Sequence, residues 1–221
     1  SRGLGDVYKR QFPTKVLHKT QTEKEGTMKE SIQEQKLQQK ILEGTIEAFN
    51  QKGLKFTMDD LAGILGMSKK TIYTVFSDKT SLFLSMVDYL FDTIKESERA
   101  ILENEALSTV EKIRAILGVM PDSYKDINFA KLYLLKEKYP EIYTRVEQRL
   151  EGGWEMTMGL LEQGIKEGCI RPVNLSIFKL MMEAALEQFF QRDILVNSGL
   201  SYTEGLSEVV GILLDGIEKK A

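Results

Sequence analysis

The chain has 221 residues and a formal net charge of −3, enough length for a small head domain on a larger body. Its composition, 42% hydrophobic and 29% charged, is that of an ordinary globular protein. The sequence contains no uninterrupted apolar run of about 18 residues, so no membrane span is predicted. The single cysteine, Cys169, cannot form an internal disulfide. With His18 as the single histidine, the sequence offers no set of soft metal ligands and no Ser-His-Asp arrangement, which excludes most enzymes that need an imidazole. We therefore expect a cytoplasmic protein without metal, cofactor or membrane partner.

The first 27 residues have no helical periodicity, and we expect a disordered leader that is foreign to the native protein. Residues 6–11 read DVYKRQ, which resembles a translated transposon adapter, and residues 24–26 read KEG, which is compatible with a translated ribosome-binding sequence. These features predict a natural start at Met28. A native N-terminal arm is the open alternative, and His18 is given no role because it falls in this leader.

Residues 28–80 are predicted to form a three-helix head. Apolar side chains recur at three- and four-residue steps over residues 37–49, which predicts a first helix that ends at Gly53. Thr57 is a natural N-cap for a second helix over about 58–65, with Asp60 at the capping-box position. The head carries a net charge of +1 and residues 81–221 carry −7, which would orient the head towards a polyanion.

The second and third helices are predicted to form a helix-turn-helix. Gly66 permits a left-handed turn, and Ser68 caps a third helix over 69–76. Ile72 and Phe76 are four residues apart and would anchor this helix in the core. Its other face carries two lysines, a tyrosine and two threonines, which suit contacts with phosphates and base edges in a major groove. On periodicity alone, a solvated face of a plain three-helix bundle fits equally well.

The segment from Phe56 to Leu82 resembles the DNA-binding signature of the TetR family of bacterial transcriptional regulators. The shared pattern is a capping Thr, an apolar-Ala pair, a Gly-apolar-Ser turn, Thr-x-Tyr-x-x-Phe, and then Lys and Leu. Some relatives have Gly where this chain has Lys70. The resemblance implies an all-α fold with an N-terminal helix-turn-helix head and a C-terminal helical ligand-binding and dimerisation domain. By position, it assigns DNA contacts to Thr57, Ser68, Lys69, Lys70, Thr71, Tyr73, Thr74 and Lys79.

Residues 81–221 keep a helical pattern and are predicted to form the body. A long fourth helix that includes residues 82–94 would connect the head to the body. Further helices are predicted at about 107–118, 124–138, 140–168, 173–191 and 202–219. Gly164 and Gly168 are expected to mark the end of the 140–168 helix, as C-cap glycines do.

In the TetR family the last two long helices form a dimeric four-helix interface. The resemblance assigns this interface to Phe178, Met182, Leu186, Phe189, Phe190, Leu206, Val209, Val210, Leu213, Leu214 and Ile217, although a purely intramolecular core is the open alternative. It also implies an effector pocket between the middle helices. The candidate lining residues are Phe129, Leu132, Tyr133, Trp154, Met158 and Leu161, each of which also suits an ordinary core position.

The sequence therefore predicts a repressor, not an enzyme, that binds a palindromic operator in double-stranded DNA as a homodimer and leaves it when a small apolar ligand binds the body. Two alternatives stay open. One is a helical interaction protein whose head no longer binds DNA, against which the intact Thr57, Tyr73 and Lys79 argue. The other is an enzyme that uses carboxylates such as Glu183 and Glu187, but with 23 acidic residues in the body such pairs arise by chance.

Overall fold

The structure is a computed structural model that describes the backbone of residues 21–121 and 133–219 and the side chains of residues 31–121 and 136–219. The chain forms two compact units, residues 1–38 and residues 39–221. In the first unit, residues 21–38 are helical. The second unit contains the helix-turn-helix and the body together, so the division into a head of residues 28–80 and a body of residues 81–221 stays a prediction. None of the helices in the described ranges has the length and hydropathy of a membrane-spanning segment.

The regular elements of the described residues are helices, which confirms the all-α fold. In chain order they are α1 (Gln21–Lys52), a 3₁₀ turn (Gly53–Lys55), α2 (Met58–Leu65), α3 (Lys69–Val75), α4 (Lys79–Glu103), α5 (Thr109–Leu117), α6 (Tyr133–Lys138), α7 (Pro140–Glu151), α8 (Glu155–Glu167), α9 (Leu175–Gln191), α10 (Ile194–Ser198) and α11 (Tyr202–Asp215). The predicted bounds of the second helix are confirmed. Helix α1 begins at Gln21 although the sequence predicts no helix before residue 28, and α10 is not predicted at all.

The prediction of a single helix over residues 140–168 is wrong, because the helical conformation is interrupted between α7 and α8. Gly153 has a φ of +75°, in the left-handed region that favours glycine. A Cβ atom at this position would lie 2.7 Å from Cε of Lys95, so a larger residue would also displace the end of the Lys95 side chain. Gly168 caps α8 as predicted, with a φ of +81°, whereas Gly164 lies inside α8.

The largest part of the core lies between α5, α8, α9 and α11. Ile113, Leu161 and Leu214 are completely buried there, and Ile170 closes the core behind α8. Helix α4 packs against both α5 and α7. Helix α4 follows α3 after three residues and continues for 25 residues, so it connects the helix-turn-helix to the helices that follow it.

Candidate nucleic-acid interface and ligand cavity

The start of α2 is fixed by a capping box, as predicted. The Thr57 hydroxyl accepts a hydrogen bond from the Asp60 main-chain N–H at 3.2 Å, and the Asp60 carboxylate accepts one from the Thr57 N–H at 2.8 Å. Lys52 also donates to Asp60 at 2.6 Å, and with the Thr57 donors it lowers the pKa of Asp60 to about 2. Thr57 is exposed, so its side chain lies at the surface where the sequence predicts a phosphate contact.

The turn between α2 and α3 is built by two residues that the sequence identifies. Gly66 ends α2 with a φ of +61°, and the Met67 N–H donates back to the Ala62 carbonyl at 3.1 Å. The Ser68 hydroxyl then caps α3 by accepting from the Thr71 N–H at 3.1 Å. These local bonds fix the angle at which α3 leaves the turn.

Helix α3 has one buried face and one exposed face. Ile72 is completely buried and Phe76 nearly so, which confirms that they anchor the helix in the core. The opposite side exposes Lys69, Lys70 and Thr74, and the Tyr73 side chain is 46% exposed. The residues assigned to DNA on α3 therefore lie on the outer surface, and we call Lys69, Lys70, Tyr73 and Thr74 the α3 surface.

The charge of the α3 surface comes mainly from Lys70. Lys69 pairs with Asp59 at 2.9 Å, and the hydrogen bond from Lys69 to Asp59 raises the pKa of Lys69. Lys70 forms no ion pair with any residue whose side chain the structure describes. The sequence interpretation did not identify Asp59 as a neighbour of this surface. Because Asp59 pairs with Lys69, Lys70 is the cation with the greater freedom to contact a phosphate or a base.

Lys79, which the sequence predicts to pair with a phosphate, faces the main chain of the protein itself. Its ammonium donates to the Leu54 carbonyl at 2.9 Å and to the Phe56 carbonyl, and it lies 4.4 Å from the centre of the Phe56 ring. Partial burial lowers the pKa of Lys79. Because two of its three donors are used in this way, Lys79 ties the start of α4 to the connection between α1 and α2.

The residues predicted for the dimer interface form the core of this chain. Two of them, Val209 and Leu213, are partly buried against the core. Buried residues make up the rest of the prediction, namely Phe178, Met182, Leu186, Phe189, Phe190, Leu206, Val210, Leu214 and Ile217. Helix α9 packs on α11, and α11 packs on α5, so these faces meet within one chain. Periodicity locates the apolar face of a helix but does not reveal whether its partner belongs to the same chain.

A different set of apolar residues on the same two helices is exposed. On α9, Ile177, Leu180 and Met181 are each more than half exposed, and on α11 Ile212 is 71% exposed. Exposed apolar side chains that form a contiguous patch are typical of interaction surfaces. We call these four residues the α9–α11 outer face.

The predicted effector pocket corresponds only in part to the cavity in the structure. Three of the predicted pocket residues, Phe129, Leu132 and Tyr133, lie outside the residues whose side chains the structure describes. Tyr133 is the first residue of α6. Leu161 is completely buried in the core, and Met158 packs against that core. Trp154 lines the cavity.

The cavity runs along α4 and has a volume of about 150 Å³. Its wall on α4 extends from Phe83 to Glu98, which corresponds to about 22 Å of helix. At the head end it is lined by Phe49 of α1 and by Leu54, and at the other end by Trp154 of α8. The cavity therefore extends from the connection between α1 and α2 to the start of α8.

The charged lining residues among those described are Lys95 and Glu98, which form a bridge on α4. The Lys95 ammonium lies 2.8 Å from each Glu98 carboxylate oxygen and 2.6 Å from the Gly153 carbonyl oxygen. Glu98 is only 5% exposed, and burial raises its pKa although Lys95 opposes that shift. The sequence interpretation missed this pair, but the signal is present, because Glu98 follows Ile94 by four residues on the apolar side of α4.

The fold and the outward α3 surface define a DNA-binding transcriptional regulator of the helix-turn-helix class. The family model described as "Bacterial regulatory proteins, tetR family" matches residues 41–86, which span the end of α1 to the first turns of α4. An HTH-type transcriptional regulator of Bacillus subtilis, YvaF, is 29% identical over 181 residues, which cover 82% of this chain and 95% of the relative. Residues 41–86 therefore match the DNA-binding domain of the TetR family, and over most of its length the chain is similar to a transcriptional regulator and not to an enzyme.

Solved structures support the fold. A TetR transcription regulator from Haloarcula marismortui superposes with a TM-score of 0.65 at 17% identity, covering 84% of this chain and all of that one. A transcriptional regulator FadR from Bacillus subtilis, in complex with stearoyl-CoA, has a TM-score of 0.55 at 17% identity and covers 81% of this chain and 99% of its own. At these identities the likeness concerns the arrangement of helices.

Proposed function

We propose that this protein is a cytoplasmic repressor that binds a palindromic operator as a homodimer and leaves it when a small lipophilic effector enters the cavity along α4. The observation that carries the proposal is that one long helix bears both the start of the head and the wall of the cavity. Because Phe83 to Glu98 line the cavity from one end to the other, a ligand there acts directly on the helix that sets the position of the head.

DNA binding is assigned to the α3 surface with Ser68, Thr71 and Thr57 at its rim. Lys70 and Tyr73 are exposed while Ile72 below them is completely buried, so the helix is held firmly with these side chains outwards. A recognition helix of this kind reads base edges in the major groove, and two such helices must lie about 34–36 Å apart to read successive turns of one duplex face. For Lys79 we propose a positioning role, since its ammonium holds α4 against the α1–α2 connection.

Effector release is a matter of linkage between two head positions. A ligand lowers operator affinity only if it binds more tightly to the head position that DNA does not select. Phe49 and Leu54 belong to the head and line the cavity, so an occupant contacts the head as well as α4. We therefore expect that a ligand in the cavity releases the protein from its operator by direct contact with the head and α4, and that no intermediate residues are needed to transmit the change.

Ion pairs between α4 and α7 support a rigid response of α4. Arg145 makes a two-point contact with Asp88, at 2.9 and 2.8 Å, and Arg149 reaches Asp92 at 2.5 Å. A bidentate arginine fixes the relative position of two helices better than a single contact does. Helix α4 is thus expected to move together with α7 when the cavity is filled.

The FadR of Bacillus subtilis was crystallised with stearoyl-CoA, so a related fold accepts a ligand with a long apolar part. The cavity along α4 is also mainly apolar, which supports a lipophilic effector for this chain.

Operator binding is the experiment that tests the function. We expect the full chain, mixed with random duplexes, to enrich a palindrome whose half-sites are one helical turn apart, and to bind it with an affinity that falls steeply as salt rises. A gel-shift or anisotropy titration measures both properties. Enrichment of no sequence, or binding that is indifferent to salt, would contradict the proposal.

Dimerisation is assigned to the α9–α11 outer face. Leu180 is 58% exposed and Ile212 is 71% exposed, and we expect the double substitution Leu180→Asp with Ile212→Asp to weaken the dimer about 100-fold or more. The reason is that carboxylates would then have to be buried in an apolar contact. Sedimentation equilibrium measures the association, and operator affinity should fall with it.

A matched control for this pair is Val196→Asp. Val196 is apolar and 50% exposed, but it lies on α10, outside the α9–α11 outer face. We expect this variant to dimerise like the wild type. If the double variant also dimerises like the wild type while circular dichroism shows it folded, the assigned face is not the interface.

A further inference from the structure

The Lys95–Glu98 pair has an asymmetric capacity for further hydrogen bonds. An ammonium has three hydrogens, and Lys95 has three acceptors in place, the two Glu98 oxygens at 2.8 Å and the Gly153 carbonyl at 2.6 Å. All donors of Lys95 are therefore used inside the protein. A Cβ atom at position 153 would lie 2.7 Å from Cε of Lys95 and would push the end of this side chain aside.

Glu98, by contrast, has acceptor capacity left. A carboxylate accepts about four hydrogen bonds, and among the residues that the structure describes, Lys95 alone donates to Glu98, once to each oxygen. The carboxylate is 5% exposed and lines the cavity, so little water reaches it from the surface. A buried acceptor of this kind gains from every additional donor. At the Lys95–Glu98 pair the cavity therefore accepts hydrogen bonds and does not offer them.

The charges of Lys95 and Glu98 also restrict the charge of a ligand that this cavity can bind. Lys95 and Glu98 neutralise each other, and the rest of the cavity wall is mainly apolar. An anionic ligand would meet the Glu98 carboxylate without a free donor on Lys95, and a cationic ligand would leave one positive charge uncompensated. An uncharged donor forms its bond to Glu98 and leaves the pair neutral.

We propose that the Lys95–Glu98 pair is the specificity site of the effector cavity and that it selects uncharged lipophilic molecules with one hydrogen-bond donor, the class of alcohols and phenols. This inference rests on the proposed function, in which the cavity is the effector site. A volume of about 150 Å³ accommodates a ring or a short alkyl chain, since an apolar cavity of about this size in another protein binds benzene.

The chain carries its own reporter for this site. Trp154 is the single tryptophan of the sequence, lines the cavity, and directly follows Gly153, which binds Lys95. Its indole N–H donates to the Leu150 carbonyl at 2.8 Å, so the ring is held in one orientation. Intrinsic tryptophan fluorescence therefore measures occupation of the cavity without a label.

The experiment titrates the full chain with four probes of similar size: 1-hexanol, its isomer 1-methoxypentane, hexanoate and hexylamine. The isomer keeps the size and the oxygen but has no donor. We expect 1-hexanol to bind about tenfold or more tightly than each of the other three, because a hydrogen bond to a buried carboxylate is worth at least that factor.

The matched variant is the double substitution Lys95→Met with Glu98→Leu. It replaces the pair with apolar side chains of similar length, a change that buried ion pairs commonly tolerate. We expect the variant to keep its fold by circular dichroism, to bind 1-methoxypentane at least as well as the wild type does, and to lose the preference for 1-hexanol.

Two kinds of failure are distinguishable. The selectivity of Lys95–Glu98 is overturned if hexanoate or hexylamine binds more tightly than 1-hexanol, or if all four probes bind equally well to the wild type and to the double variant. Effector release is still supported in that case by any probe that lowers operator affinity. If no probe changes the Trp154 fluorescence of a chain that binds its operator, the cavity is not an effector site. Both the release mechanism and this inference then fail, but DNA binding does not.

Discussion

Lys70→Glu is expected to lower operator affinity about 100-fold or more at 0.1 M salt. The side chain is exposed on α3 and forms no ion pair with any described residue, so it is available to DNA. In the proposed dimer its reversal would place two new negative charges against two major grooves, in addition to removing two favourable contacts. A gel-shift or anisotropy titration on the selected operator measures the change, and the salt dependence should become shallower.

Two other lysines separate DNA contact from general effects of charge and fold. Lys166→Glu makes the same change at an exposed position of α8 in the body, and we expect operator affinity close to that of the wild type. Lys79→Met should weaken binding to all duplexes without a change in salt dependence, because the ammonium of Lys79 binds main-chain carbonyls. Equal losses in Lys70→Glu and Lys166→Glu would mean that the α3 surface does not meet the duplex.

The helix-turn-helix was predictable from sequence because its geometry depends on local chemistry. Thr57 and Ser68 cap helices through hydrogen bonds to main-chain groups three residues away, and Gly66 has the positive φ that its residue type allows. Bonds of this range are visible in a sequence. Ile72 was likewise predicted as core from its spacing, and it is completely buried.

The contacts that sequence did not reveal join distant parts of the chain. Lys79 meets a carbonyl 25 residues earlier, and Lys95 meets one 58 residues later, so no local pattern reports them. The residues predicted for the dimer interface lie on the inner faces of α9 and α11, whereas other apolar residues of the same two helices are exposed. Leu180 and Ile212 lie two residues from Phe178 and Leu214, which are buried. In a helix that small offset separates the inside from the outside, and only the packing of α9 on α11 decides between them.

Lys95→Met is expected to lower the free energy of unfolding at pH 7 by about 3 kcal/mol, a loss typical of a buried ion pair that is left with one partner. The side chain of Glu98 is only 6% exposed, and without Lys95 its carboxylate either stays charged in an apolar cavity or takes up a proton. Protonation of a glutamic acid at pH 7 costs about 3 to 4 kcal/mol relative to the unfolded chain, which limits the penalty. A fall in Tm of about 10 °C should accompany it, measured by calorimetry or circular dichroism.

The pH dependence of this loss identifies its cause. Burial raises the pKa of Glu98 above its ordinary value, and removal of Lys95, which opposes that shift, raises the pKa further. A raised pKa in the folded state means that the folded chain binds the proton more tightly. Its stability is therefore greatest below the unfolded pKa and falls as pH rises through the folded pKa. The difference between Lys95→Met and the wild type should consequently shrink from pH 7 to pH 5.

Two variants serve as comparisons for Lys95→Met. Adding Glu98→Leu removes the unpaired carboxyl and should restore stability to within about 1 kcal/mol of the wild type. Lys179→Met breaks the more exposed pair with Glu183, 3.4 Å apart on α9, together with the hydrogen bond from Lys179 to the Glu151 carbonyl, and should cost about 1 kcal/mol or less. If the double variant is no more stable than Lys95→Met alone, the loss comes from the packing of the Lys95 side chain. In that case Glu98 is not held as a charged group, and the selectivity for a neutral donor loses its basis.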